Sequence, residues 1–429
     1  MERSGAISFA YAVEWLGWEH AAPISLSLPL REQAHVGAPV IAYFENLLPD
    51  NQMIRDRIAA KVQAPGTDAY SLLAKLGRDC VGALQFVVND EAQAEGKPGE
   101  ISAEPLSDDE IAQTLKNLTT SPLGIETDAD FRISIAGAQE KTALLRMNGK
   151  WFRPNGMTPT SHILKTQLGH LPNGINLADS VENEFFCMRF CAAMGCDVAN
   201  VEIIDFEDVR ALAVERFDRQ WTSDGRLLRV PQEDFCQALG VPPSQKYQSD
   251  GGPSVVDGLG LLKACDEPLE DQMTFLRAQV IFWLLGATDG HAKNFSIRLG
   301  FGGGFKMTPL YDVLSAQKAF DEHQFKHSQY RLAMSLGKSR NYRLDQIVAR
   351  HIFETGKLGG LGEILIQRML KNVLAMVPKA LEATSSELPE GFPNELVEAI
   401  IDGVSNRAGV LERSLVSPST AVTTDHGKT

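Results

Sequence analysis

Apolar and polar residues alternate over 24–28, and this period of two predicts a strand there. Asn46-Leu47-Leu48-Pro49-Asp50 then leads into a run of helix formers from Gln52 to Lys61, with Asp50 or Asn51 as the cap. Residues 81–88 read as a second strand, the polar stretch 89–105 as a loop, and 108–118 as a short helix capped by Ser107. From Phe131 the pattern changes to strands around one helix. Strands are predicted at 131–135, 142–147, 162–165, 201–204 and 211–214, with Asn148-Gly149 as a hairpin turn. Val181, Phe185, Met188 and Ala192 share one face of a helix over 181–194, and Gly195 stops it. Beyond about residue 222 helical spacing dominates. Met273, Leu276, Val280 and Trp283 belong to a helix opened by Pro268 and closed near Gly286, and further helices are predicted at 358–376 and 393–416. Between them lie a strand at 295–299, a glycine-rich turn at 300–304 and a strand running into Asp312. The polar end, 417–429, is predicted to be disordered.

This order predicts an α+β chain with a bilobed, protein-kinase-like fold. An N-terminal α/β subdomain would cover 1–128, a kinase small lobe 129–220 and a mainly helical catalytic lobe 221–416, with 417–429 as a tail. An ATP site would lie between the lobes.

Composition narrows the function. The formal net charge is −14, which argues against a broad basic face gripping nucleic acid unaided. The longest apolar run, 280–285, is far short of the ~20 residues that span a bilayer, and no signal peptide is visible. Cys80, Cys187, Cys191, Cys196, Cys236 and Cys265 lack paired metal spacing and read as buried thiols of a reducing, cytoplasmic compartment.

The chemistry concentrates in Gly286-Ala287-Thr288-Asp289-Gly290-His291-Ala292-Lys293-Asn294, followed by Pro309-Leu310-Tyr311-Asp312. The spacing from Asp289 to Asn294 equals that of the protein-kinase catalytic loop. Asp289 is the candidate base that takes the acceptor hydroxyl's proton, and Asn294 and Asp312 are hard oxygen ligands suited to Mg²⁺. His291 is expected to brace the loop, and Lys293 either reaches phosphate or is solvated. Lys165 ends an apolar strand, where a lysine would contact ATP phosphates, and Glu184 on the 181–194 helix is its expected partner. Residues 134–141 lie where a phosphate-covering loop belongs, although Gly137 alone makes this a weak signal. Glu215-Arg216-Phe217 falls where an adenine-reading hinge belongs. The Asp-Phe-Gly motif of many kinases is replaced by Asp312-Val313-Leu314.

With these residues and with Phe131 to Thr142, Ala211 to Arg219, Pro231-Gln232-Glu233-Asp234 and Ser249-Asp250-Gly251-Gly252-Pro253, the chain resembles the HipA family of bacterial serine/threonine kinase toxins. The order of Asp289, His291 and Asn294 is also similar to that of phosphatidylinositol 3/4-kinases. The resemblance implies that Ala136, Gly137, Ala138, Gln139, Glu140 and Lys141 form the ATP phosphate loop. It also implies that Lys165, Glu215, Arg216, Phe217, His291, Ala292, Lys293, Asn294, Tyr311 and Asp312 complete an ATP and Mg²⁺ site, and that Ser134 is an autophosphorylation site that silences the kinase. It further implies a HipB-like helix-turn-helix antitoxin dimer as partner, operator DNA reached mainly through that antitoxin, and a serine of an aminoacyl-tRNA synthetase, glutamyl-type, as target. In the family another strand pair precedes the segment matching Ala6 to Trp18, so the chain either begins inside the first domain or starts further upstream. The competing expectations are a small-molecule phosphotransferase, in which a histidine precedes the catalytic aspartate, and a pseudokinase corepressor.

Overall fold

The computed structural model describes residues 7–87, 97–125, 133–136, 139–171 and 174–416. The N-terminal unit opens with a strand pair, Ser8–Phe9 against His35–Val36, and a short helix Val13–Leu16, and continues with helices α1 (Ala38–Glu45), α2 (Gln52–Lys61) and α3 (Ala69–Leu76). Asn51 caps α2 by accepting from the Met53 amide. The chain continues into strand β1 (Ala103–Pro105) and helix α4 (Asp108–Lys116), which starts in a capping box between Ser107 and Glu110.

Next come strands β2 (Lys141–Met147), β3 (Lys150–Pro154) and β4 (His162–Thr166), helix α5 (Ser180–Ala193), and strands β5 (Val201–Phe206) and β6 (Val209–Glu215). With β1 they form one antiparallel sheet of order β1-β3-β2-β4-β6-β5. Asn148 and Gly149 make the β2–β3 turn, both at positive φ. The large lobe holds a three-stranded antiparallel sheet of β7 (Gln232–Asp234), β8 (Ser296–Leu299) and β9 (Phe305–Met307). Around it pack α6 (Pro268–Leu285), α7 (Ala349–Leu358), α8 (Glu363–Ser386) and α9 (Asn394–Val416). Among the described residues no helix is long and apolar enough to cross a membrane. All six cysteines are buried and free.

Strand alternation sends the two faces of the six-stranded sheet into different cores. Leu144, Leu164, Ala211 and Ala213 pack with Leu47, Leu48 and Leu72 of the N-terminal unit. Leu212 and Val214 pack with α5 and the large lobe. The register sets Lys141 opposite Lys165, and Lys165 opposite Leu212. Both lysines therefore point to the face turned toward the large lobe.

Several expected elements differ. Residues 24–28 form a tight turn bridged between Ser25 and Leu28 rather than a strand, because Glu233 takes the Leu26 amide and Tyr11 donates to the Leu28 carbonyl. Residues 81–87 are irregular, since Gly82 at φ +75° gives its amide to Asp218 rather than to a neighbouring strand. Of 131–135, the described part contributes one parallel bridge, from Ile133 to Asp79. The helix expected at 358–376 is α8, which starts at Glu363 and runs on to Ser386, because Gly359 and Gly360, the latter at φ +92°, separate it from α7. The loop expected at 89–105 is described only from residue 97 and ends in strand β1, which pairs with β3, and the tail 417–429 lies outside the described residues.

Where the N-terminal unit meets β7, Glu233 is fully buried, with Oε1 accepting from the Leu26 amide and Oε2 without a partner. Burial pushes its carboxyl up to about 8. The folded state therefore holds this proton more tightly than the unfolded chain. The contribution is fully present below the ordinary carboxylate value of 4.5 and is lost as pH rises through about 8. Glu233→Gln keeps the Oε1 acceptor, so its denaturation midpoint should fall less between those limits than that of the parent. An equal fall in both proteins would contradict the assignment.

Candidate active site

A cavity of about 650 Å³ lies between the six-stranded sheet, the N-terminal unit and the large lobe. At its floor the Lys165 ammonium donates to both Glu184 oxygens, at 2.7 and 3.0 Å, and to Asp312 Oδ1 at 2.6 Å. Lys165 and Glu184 are 7% and 3% exposed, so the bridge is almost dry. Burial alone would lower the Lys165 pKa, yet Asp312 and Glu184 together hold it above the ordinary lysine range. Burial would raise Asp312, but Lys165 and Lys141 hold it well below the usual carboxylate range.

Asp312 sits at φ +61°, a left-handed backbone costing about 1–3 kcal/mol for a non-glycine residue. What holds it there is α5. Asn183, next to Glu184, exchanges two hydrogen bonds with the Ser315 backbone, each 2.8 Å. The helix that carries the lysine's partner thus also places the aspartate.

Lys141 lies opposite Lys165 and donates to the Ala136 carbonyl at 2.9 Å. Burial, and then the neighbouring Lys165, bring its pKa down to about 8. Gln139 donates to the Thr166 carbonyl at 3.0 Å, and Ala136 and Gln139 both line the cavity. Glu140 turns away to pair with Arg57 at 2.5 Å and does not line it. Gly137 and Ala138 lie outside the described residues. Ser134 is fully buried off the cavity, its hydroxyl donating to the Leu47 carbonyl at 2.8 Å.

The catalytic-type loop follows α6, which Gly286 ends in the left-handed conformation. Gly290 allows the loop to lie against Phe282, since a Cβ there would come within 2.5 Å of that ring. Asp289 is 58% exposed at the cavity rim. Its carbonyl accepts from the His291 amide at 2.7 Å and from Asn294 Nδ2 at 2.8 Å, which leaves Asn294 Oδ1 as the side chain's acceptor. His291 is 3.9 Å from Asp289, its Nδ1 is buried without a partner, and burial lowers its pKa, so it is a neutral ring. Tyr311 donates to the Lys293 carbonyl at 2.7 Å and packs its ring 5.6 Å from Phe217, tying the loop to the segment after β6.

Two expectations for this loop are corrected. Lys293 lines the cavity but is not solvated. It is buried, and Asp50 of the N-terminal unit binds it at 2.8 Å. Ala292 is buried and off the cavity. The Arg216 side chain likewise serves structure: it joins Asp79, Asp218 and Arg219 in a buried ionic network, so any contact from this hinge position comes from backbone.

Sequence reasoning missed several cavity residues. Gln232 carries a buried, unpartnered Oε1, an acceptor suited to an amino or hydroxyl group of a nucleoside. Asp50, Lys246 and Tyr247 also stand at or beside Asp289. Asp50 was expected as a helix cap, and only the fold brings it to the loop.

The residues present fit ATP and Mg²⁺. The Lys141 and Lys165 ammonium groups face one cavity, and Gln232 and His291 offer unpartnered polar atoms beside it. Among the described residues no three His, Cys, Asp or Glu side chains converge as a closed metal cage. Asn294 and Asp312 together match a cation that shares its shell with phosphate and water.

The HipA-like C-terminal domain family matches residues 133–381, and the HipA N-terminal domain family matches residues 1–87. The chain is 34% identical over 417 residues to the putative kinase Y4mE of Sinorhizobium fredii, covering 96% of this chain and 95% of that one. It is 29% identical over 386 residues to the serine/threonine-protein kinase toxin HipA of Shewanella oneidensis, covering 87% and 83%. A solved Shewanella oneidensis HipA, in complex with HipB and its operator DNA, superposes with a TM-score of 0.80 at 25% identity, covering 96% and 94%.

Proposed function

This chain belongs to the HipA family, and on that premise we propose that it is an ATP- and Mg²⁺-dependent protein-serine kinase and the toxin of a HipA/HipB-type module. The observation that carries the reading is Lys165 bridging Glu184 and Asp312 at the floor of a cavity whose rim holds Asp289 and Asn294.

Lys165 and Lys141 would take the negative charge of the ATP phosphates, and binding there would draw Lys141 back toward its protonated form. Glu215 to Phe217 would face adenine through backbone groups. Asn294 and Asp312 would hold Mg²⁺, which supplies charge neutralisation on the phosphate oxygens. Asp289 orients the acceptor serine and takes its proton as the serine oxygen bonds to the γ-phosphorus and the bond to ADP breaks.

The partner would be a HipB-like antitoxin dimer. The net charge of −14 favours DNA contact mainly through that partner, and the Shewanella oneidensis relative was solved with HipB and operator DNA. The target would be a serine of an aminoacyl-tRNA synthetase, glutamyl-type, so that translation halts. The division into an N-terminal subdomain to residue 128, a small lobe to 220 and a catalytic lobe to 416 belongs to the same reading.

Ser134 would be the self-silencing site. Its hydroxyl is buried against the Leu47 carbonyl, an acceptor that a phosphate cannot satisfy. Phosphorylation there adds about two negative charges in a dry site and must expel the segment. Purified protein incubated with Mg²⁺ and ATP should carry phosphate on Ser134 by peptide mass mapping. Ser134→Ala should lose that phosphate, bind nucleotide normally and lose about 1 kcal/mol of stability. An unmodified Ser134 in the parent would contradict the self-silencing role, and lost nucleotide binding in the variant would make Ser134 chiefly structural.

A further inference from the structure

Asp289 projects from the rim with more than half of its side chain exposed. A free carboxylate there would rotate, yet one oxygen is already held: the Tyr247 hydroxyl donates to Asp289 Oδ1 at 2.5 Å. The same tyrosine ring packs edge-on against His291, centroids 4.9 Å apart. Tyr247 itself sits between two short turns, Pro243–Gln245 and Gln248–Asp250, so no regular element fixes its direction. Its anchor is its neighbour. Lys246 Nζ lies 5.4 Å from the Tyr247 ring centroid and pairs with Asp50 Oδ2 at 2.8 Å, while Asp50 Oδ1 takes Lys293 of the catalytic loop at 2.8 Å. The Lys246 carbonyl also accepts from the Ala292 amide at 3.3 Å.

Asp50 therefore crosslinks two lysines, one on each side of Asp289. Burial would raise its pKa, but Lys293 and Lys246 bring it down to about 2, so it is charged at any working pH. A carboxylate from the N-terminal unit thereby reaches the catalytic aspartate through an ion pair, a cation–ring contact and one hydrogen bond.

We propose that Tyr247 is a positioning residue that holds the Asp289 carboxylate for the acceptor hydroxyl, and that Asp50 of the N-terminal unit keeps Tyr247 in place through Lys246. This rests on the kinase reading above. Tyr247 occupies Oδ1 and leaves Oδ2 for the acceptor proton. The N-terminal unit then helps to position Asp289.

The test uses the purified full chain, Mg²⁺ and γ-labelled ATP, with a fixed amount of bacterial lysate protein as acceptor. Tyr247→Phe keeps the ring on His291 and removes only the hydroxyl. Its kcat should fall by about tenfold or more, the scale of a lost charge-assisted hydrogen bond, with the KM for ATP within about twofold of the parent. Asp50→Asn should lower kcat in the same way. The double variant should fall no further than Tyr247→Phe alone, because both act through one contact. Should Asp50→Asn fail to fold, Lys246→Met carries that arm. Parent-like kcat in Tyr247→Phe, a loss expressed mainly in the KM for ATP, or losses that multiply in the double variant would overturn the proposal while the kinase reading stands. A parent chain that transfers no label would sink the kinase reading, and this inference with it.

Discussion

Lys165→Met is expected to abolish nucleotide binding and to lower the unfolding free energy by about 3–5 kcal/mol, the cost of leaving a buried charge unpaired. Two carboxylates depend on this one ammonium. Glu184 would be left almost fully buried without its partner, and Asp312 would lose its ion pair. The two carboxylates would then repel each other across the cleared space, and one would take up a proton. Methionine fills most of the lysine's volume, so the loss is electrostatic rather than a cavity effect. Denaturant unfolding and a nucleotide titration check both halves. Parent-like binding of ATP by this variant would remove Lys165 from the site.

Asp289→Asn separates chemistry from folding. Its side chain is mostly exposed, and asparagine can still accept from Tyr247 through Oδ1. The backbone bonds from His291 and Asn294 do not involve the side chain. Stability should therefore stay within about 0.5 kcal/mol of the parent, as for an exposed substitution. Losing the general base should slow phosphoryl transfer by about 10²–10⁴-fold. Growth arrest on expression should disappear with it, and arrest that persists in this variant would refute the catalytic role.

What could be read from the chain, and what could not, follows from how far each contact reaches. Asp289, His291 and Asn294 share one loop, and the turn that joins them is local. Lys165 and Glu184 were legible because a strand lysine and the next helix carry period-2 and helical spacing that place both on one side of the sheet. Asp312 needed only its distance along the chain from Asn294, across the β8–β9 hairpin, although the strand expected to run into it ends at Met307. The misread strand at 24–28 alternates correctly, yet its amide and carbonyl find Glu233 and Tyr11 rather than a neighbouring strand. Lys293 carried no local sign of its partner, since Asp50 lies 243 positions away. The same holds for Gln232 and Tyr247, whose roles exist only once three parts of the chain close on one cavity. Glu140 was placed in the phosphate loop by position, and only the structure shows it turned toward Arg57.

The most direct measurement of the central claim is transfer of label from γ-labelled ATP by the purified chain, with Mg²⁺, to protein in a bacterial lysate, run beside Asp289→Asn. The account predicts label on serine of one or a few lysate proteins with the parent and none with the variant. Label that appears equally with both proteins, or with neither, would contradict it.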